Sequence, residues 1–79
     1  MYKNEQLKGL VGDTNLSKVK EVTDIYYRND FCFLYHFTTV TDKKIRYYQD
    51  ERCFQVSIDD RSKLFKTFED AQQAIQQAI

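Results

Sequence analysis

The stretch Phe31–Val40 constrains this chain more than any other, because aromatic side chains recur there at every second position. Phe31, Phe33, Tyr35 and Phe37 fall on one side of an extended strand, and Cys32, Leu34, His36, Thr38 and Val40 on the other. A helix would scatter the rings around its circumference, whereas a pleated strand gathers them onto one face. Apolar groups on both sides near its start place this strand inside a sheet, between neighbours.

Flanking segments supply those neighbours. Cys53–Ile58 alternates cleanly, with Phe54, Val56 and Ile58 one way and Cys53, Gln55 and Ser57 the other; Ile45–Gln49 and the short Lys63–Phe65 are also strand-like. In Lys18–Tyr27, Val19, Val22, Ile25 and Tyr26 recur at helical spacing after Ser17, a residue type that caps helices. Its β-branched and aromatic content nevertheless fits a pleated surface better, so the segment reads as a strand. Between strands lie Arg28-Asn29-Asp30, Thr41-Asp42-Lys43-Lys44, Asp50-Glu51-Arg52 and Asp59-Asp60-Arg61-Ser62. The chain has no proline and only two glycines, Gly9 and Gly12. Its turns therefore rest on Asn, Asp and Ser, whose side chains support turn dihedrals through local hydrogen bonds.

Both ends read as helical. Thr67 is placed to cap a C-terminal helix, with Glu69 and Asp70 in its first turn. Phe68, Ala71, Ala74, Ile75, Ala78 and Ile79 form its apolar stripe, opposite Gln72, Gln73, Gln76 and Gln77. Within Tyr2–Val11, Leu7, Leu10 and Val11 suggest a short helix that Gly9 and Gly12 keep short, and Gly12-Asp13-Thr14-Asn15 reads as a loop. The expected fold is α+β: a three- to four-stranded antiparallel sheet packed by one C-terminal helix, with a short N-terminal helix. Residues 1–79 form one domain, divided into an N-terminal segment 1–16, a sheet over 17–66 and a helix over 67–79.

Over Ile45–Ile79, strand, hairpin, short strand and the helix-opening run Phe65-Lys66-Thr67-Phe68-Glu69-Asp70-Ala71 resemble the three-strand-plus-helix arrangement of integrase arm-type DNA-binding domains. The resemblance implies shared architecture. The residues that carry it are packing and capping residues, and the Trp and basic excess with which such domains read DNA are missing here.

A chain of 79 residues has room for a single modest core. Six Tyr and six Phe make that core adequate, since each ring buries roughly 150–250 Å². Lys plus Arg and Asp plus Glu are equal at 12 each, and residues 1–30 hold five of each sign. That balance lacks the basic footprint expected of partners such as nucleic acid or anionic membrane, and zero net charge mildly favours self-association. No apolar run is long enough to span a bilayer, and Met1-Tyr2-Lys3-Asn4-Glu5-Gln6 leads into no apolar signal region. Cys32 and Cys53, set inside strand-like segments, read as reduced thiols, so the expected location is cytoplasmic.

Catalytic constellations are not evident. Cys32 and His36 share a strand face but lie about 13 Å apart along the strand, with Leu34 between them. Cys32, His36 and Cys53 supply no close ligand pair for zinc, Asp59 and Asp60 read as turn residues, and no glycine-rich loop is present to cradle phosphate. No enzyme activity, metal or cofactor is expected.

Binding residues are easier to nominate. Tyr26-Tyr27 and Tyr47-Tyr48 occupy consecutive strand positions, so each pair sends one ring to each face of the sheet. One helix covers one face. With Arg28 and Arg46, the set Tyr26, Tyr27, Arg28, Arg46, Tyr47 and Tyr48 has the composition of a protein-binding hot spot, unless Leu7, Leu10 and Val11 cover the second face. The leading expectation is a small non-catalytic module that binds another protein or a second copy of itself, such as a phage or mobile-element inhibitor or adaptor acting on a host protein. The alternative is a nucleic-acid-binding accessory protein using Lys43, Lys44, Arg46, Lys63 and Lys66, with Arg61, around the basic-aromatic hairpin 43–48.

Overall fold

In the computed structural model, residues 4–79 are described, with side chains from Leu7 onward. The order of elements is α1 (Asn4–Val11), a 3-10 helix (Asp13–Lys18), β1 (Val19–Asn29), β2 (Cys32–Thr39), β3 (Lys44–Gln49), β4 (Phe54–Ile58), β5 (Arg61–Phe65) and α2 (Phe68–Ala78). All five strands pair antiparallel with their sequence neighbours, in the order β1-β2-β3-β4-β5. The α+β class and both helices are as expected, but the sheet has five strands where three to four were expected. Its outer members account for the difference. β1 is the strand that its β-branched and aromatic content implied, and the short strand expected from Lys63 begins at Arg61, which makes β5 long enough to pair along the whole of β4.

β1 carries a misleading period for a physical reason. Its pairing with β2 slips between Val19 and Glu21, between Val22 and Asp24, and between Tyr27 and Asn29. Each slip is a bulge that adds one residue, at Lys20, Thr23 and Arg28. Val19, Val22 and Ile25 therefore return to the same face every third residue, imitating a helix while remaining extended. Bulges on an edge strand also discourage pairing with foreign chains.

Aspartate and asparagine make the turns. Asp42 and Asp59 adopt positive φ, at 64° and 54°. Asn29 Oδ1 accepts the backbone N–H of Phe31 (2.8 Å) and Cys32 (3.0 Å), and Asp50 Oδ1 accepts those of Arg52 (2.7 Å) and Cys53 (2.9 Å). Phe31 was expected to extend the aromatic face of β2; it sits instead in the β1–β2 turn, 69% exposed. The expected loop after Gly12 is a 3-10 helix, and the strand expected from Cys53 begins at Phe54.

Both helices lie on the same side of the sheet. Leu7, Leu10 and Val11 of α1 share one core cluster with Ala71 and Ile75 of α2 and with Phe33, Tyr35, Phe37, Ile45, Tyr47 and Val56 from the strands. Gln72 Nε2 donates to the carbonyl of Gly9, tying the helices together. Gly12 ends α1 at φ 91°, where a Cβ would meet Gln76 Nε2 at 3.3 Å. Helix α2 opens as its sequence implies, with Thr67 Oγ1 accepting the Asp70 N–H at 3.2 Å. The N-terminal segment therefore thickens the roof over the aromatic face and leaves the opposite face uncovered among the described residues. Tyr2 and Lys3 lie outside those residues.

Candidate functional site: the open face of the sheet

Strand register assembles this face into rows. One row crosses all five strands: Tyr26 on β1 opposes Leu34 on β2, Leu34 opposes Tyr48 on β3, Tyr48 opposes Gln55 on β4, and Gln55 opposes Leu64 on β5. Its end members are the most open, with Tyr26 57% and Leu64 65% exposed. The next row is polar, running Asp24, His36, Arg46, Ser57 and Ser62. Ser57 and Ser62 close it with a hydroxyl–hydroxyl hydrogen bond of 2.6 Å. Thr23, in a β1 bulge, donates to the His36 carbonyl at 3.0 Å and fixes that edge.

On the other side of the apolar row lies a concavity of about 380 Å³ whose walls include Tyr26, Arg28, Cys32, Tyr48, Asp50 and Arg52. Asp50 organises it. Backbone N–H groups of Arg52 and Cys53, and then the Tyr48 hydroxyl (3.0 Å), hold its carboxyl below the ordinary carboxylate range, so it stays charged. The same hydrogen bond, first, and the loss of water around it hold the Tyr48 proton more tightly than in a free phenol. Burial, then the charge of Asp50, pushes the Cys53 thiol upward. Cys53 is thus a poorer nucleophile than a free cysteine. His36 lies in the adjacent polar row, opposite Arg46 and, beyond it, Ser57, so the register separates it from Cys53. Among the described residues no group of three or more His, Cys, Asp and Glu side chains is placed to hold a metal ion.

The expected protein-binding residues divide between the faces. Tyr26, Arg28, Arg46 and Tyr48 belong to the open side. Tyr47 is fully buried beneath α2, in edge contact with Phe68 at 6.3 Å between ring centres, and its hydroxyl donates to Gln49 Oε1 at 2.8 Å. Burial, first, raises the proton affinity of that phenol. Tyr27 also packs against the core, and its hydroxyl donates to Asp30. Sequence reasoning did not nominate Leu64, Gln55 or Asp24. For Leu64 the signal was present: alternation puts it opposite in sense to Phe65.

The basic residues of the nucleic-acid alternative do not gather. Lys44 and Arg46 alternate with buried Ile45 and Tyr47 and so project from the open side. Lys43 donates to the Ala78 carbonyl at the end of α2 (2.7 Å), and Lys63 lies over the Phe65 ring at 5.4 Å, on the helix side. Arg61 and Lys63 line a wider groove of about 1020 Å³ between β5 and α2, floored by Val56, Ile58 and Phe65 and flanked by Asp59, Asp60 and Asp70. Helix α2 packs more against β4 than against β5, which leaves the helix side of β5 only partly roofed. The charges of the groove are mixed.

Compared with models of protein families, with curated proteins and with solved structures, the chain matches none of them. No helix among the described residues is long and apolar enough to cross a membrane.

Proposed function

We propose that this chain is a small protein-binding module, without catalytic activity of its own, that makes its contact through the open face of the sheet. One observation carries the reading: a continuous row of Tyr26, Leu34, Tyr48, Gln55 and Leu64 spans that face with no helix over it, and its two outer members are more than half exposed. Exposed apolar surface rimmed by polar side chains is the pattern of interaction sites, and tyrosine with arginine supplies binding energy there. Arg46 and Arg28 stand on either side of the row. A stoichiometric inhibitor or adaptor suits such a surface, and the two free cysteines suit a reducing, cytoplasmic setting.

The test is capture of partners with the tagged chain and with a Tyr26→Ser/Leu64→Ser variant, side by side at low and high salt. A protein, including an untagged copy of the chain, that the wild type retains in high salt and the variant loses supports the reading. Recovery of nucleic acid alone, released steeply by salt and indifferent to the variant, overturns it in favour of the basic residues.

A further inference from the structure

We propose that the occupant of the open face is a second copy of this chain, docked sheet to sheet about a two-fold axis that runs along the row Tyr26–Leu34–Tyr48–Gln55–Leu64. The inference rests on the open face being a contact surface and names its partner.

Charge placement carries it. On β1, Asp24 and the bulged Arg28 stand on opposite sides of Tyr26; Arg46 on β3 and Asp50, just beyond its end, stand on opposite sides of Tyr48. A two-fold along the row keeps each strand over its own copy but reverses its direction. Residues on one side of the row then lie over residues from the other side. Asp24 meets Arg28 of the second copy, and Arg46 meets Asp50, each contact occurring twice. On β2, and on β4 with the residue before it, the same operation sets His36 over Cys32 and Ser57 over Cys53, pairs without like formal charge; the one like-charge approach, Lys44 over Arg52, falls at the solvated rim. The row itself stacks Leu34, Leu64 and the tyrosine rings upon their own copies, desolvating the apolar surface that monomers leave in water. A two-fold parallel to the strands would instead set Arg46 against Arg46, so of these two axes the charges favour the one along the row.

The geometry is ordinary for stacked sheets. Reversed strands keep the two sheets in the aligned class of packing, about 10 Å apart. Equal numbers of positive and negative residues leave no net repulsion to overcome. Five strands spaced about 4.8 Å, each contributing five or so residues, give a face roughly 20 Å on a side. At about 400 Å² per copy this outline falls below the standard size of stable interfaces, which points to a weak, concentration-dependent dimer.

Sedimentation equilibrium of the whole chain, from about 1 µM to about 1 mM, reads this directly. The wild type is expected to pass from monomer to dimer. Asp24→Arg alone and Arg28→Asp alone each set like charges in two contacts and are expected to weaken the dimer about tenfold, as is Arg46→Glu. The combined Asp24→Arg/Arg28→Asp chain restores opposite charges and is expected to return to within about threefold of wild type. These side chains are exposed, and an unchanged thermal transition verifies the fold of each variant. A strict monomer, a dimer indifferent to every reversal, or a double variant as weak as the product of its singles overturns the second-copy assignment. The wider reading fails separately, when the Tyr26→Ser/Leu64→Ser variant keeps every partner of the wild type.

Discussion

The two faces of this sheet are built from the same strands, yet they do different work. On the covered face β2 and β3 contribute Phe33, Tyr35, Phe37, Ile45 and Tyr47, all buried beneath two helices. On the open face the same two strands contribute Leu34, His36, Arg46 and Tyr48, none of them fully buried. The contrast is sharpest at adjacent residues. Tyr47 is sealed into the core, while Tyr48 is half-buried on the open side with its hydroxyl on Asp50. One face holds the chain together, and the other leaves Tyr26 and Leu64 more than half exposed.

The largest effect that could break this contrast lies at that pair. Tyr47→Ala removes a buried ring and is expected to cost about 3–5 kcal/mol, which would unfold most of a chain with only a few kcal/mol of stability. Tyr48→Ala is expected to cost no more than about 1.5 kcal/mol. Urea midpoints measure both; equal losses would erase the distinction between the faces. The phenol of Tyr47 sharpens it further. Its proton affinity is raised in the folded chain, so the associated stability is fully present below the ordinary phenol value of 10.0 and is lost as pH rises above it. Base titration should therefore unfold the wild type earlier than Tyr47→Phe once each is compared with its own neutral-pH stability.

These effects also separate what was legible in the sequence from what was not. Alternation in residues 32–39 and 54–58 showed which side chains share a face, and the scarcity of glycine pointed to Asp42 and Asp59 as turn residues. The Thr67 cap was readable because its donor lies three residues along the chain. Three things were hidden. An apolar stripe such as Leu7, Leu10 and Val11 demands burial but does not say against which side of a sheet. The row through Tyr26 and Leu64 depends on register across four strand pairs, and one-residue slips at Lys20, Thr23 and Arg28 decide that register. Asp24, Tyr26 and Arg28 themselves keep plain alternation, because the neighbouring slips fall before Asp24 and after Tyr27. Sequence also spread the basic residues along one hairpin and strand, whereas the pleat sends Lys63 to the helix side and Lys43, in the loop before β3, reaches the end of α2.

Smaller effects follow. Thr67→Ala removes the cap that starts the roof and is expected to cost about 1 kcal/mol, read from the thermal transition. Tyr26→Ser and Leu64→Ser, on the open face, are expected to change stability by no more than about 0.5 kcal/mol while reducing association. Stability and association should thus respond to different sets of residues.

Hydroxyl-radical footprinting of the whole chain, dilute and then associated with its partner or with itself, tests the central claim most directly. In dilute solution Tyr26 and Leu64 should label rapidly and Tyr47 and Ile75 hardly at all. On association, protection should fall on Tyr26, Tyr48 and Leu64. Protection confined to the groove between β5 and α2, with Tyr26 and Leu64 still labelled at their dilute rates, would contradict the account.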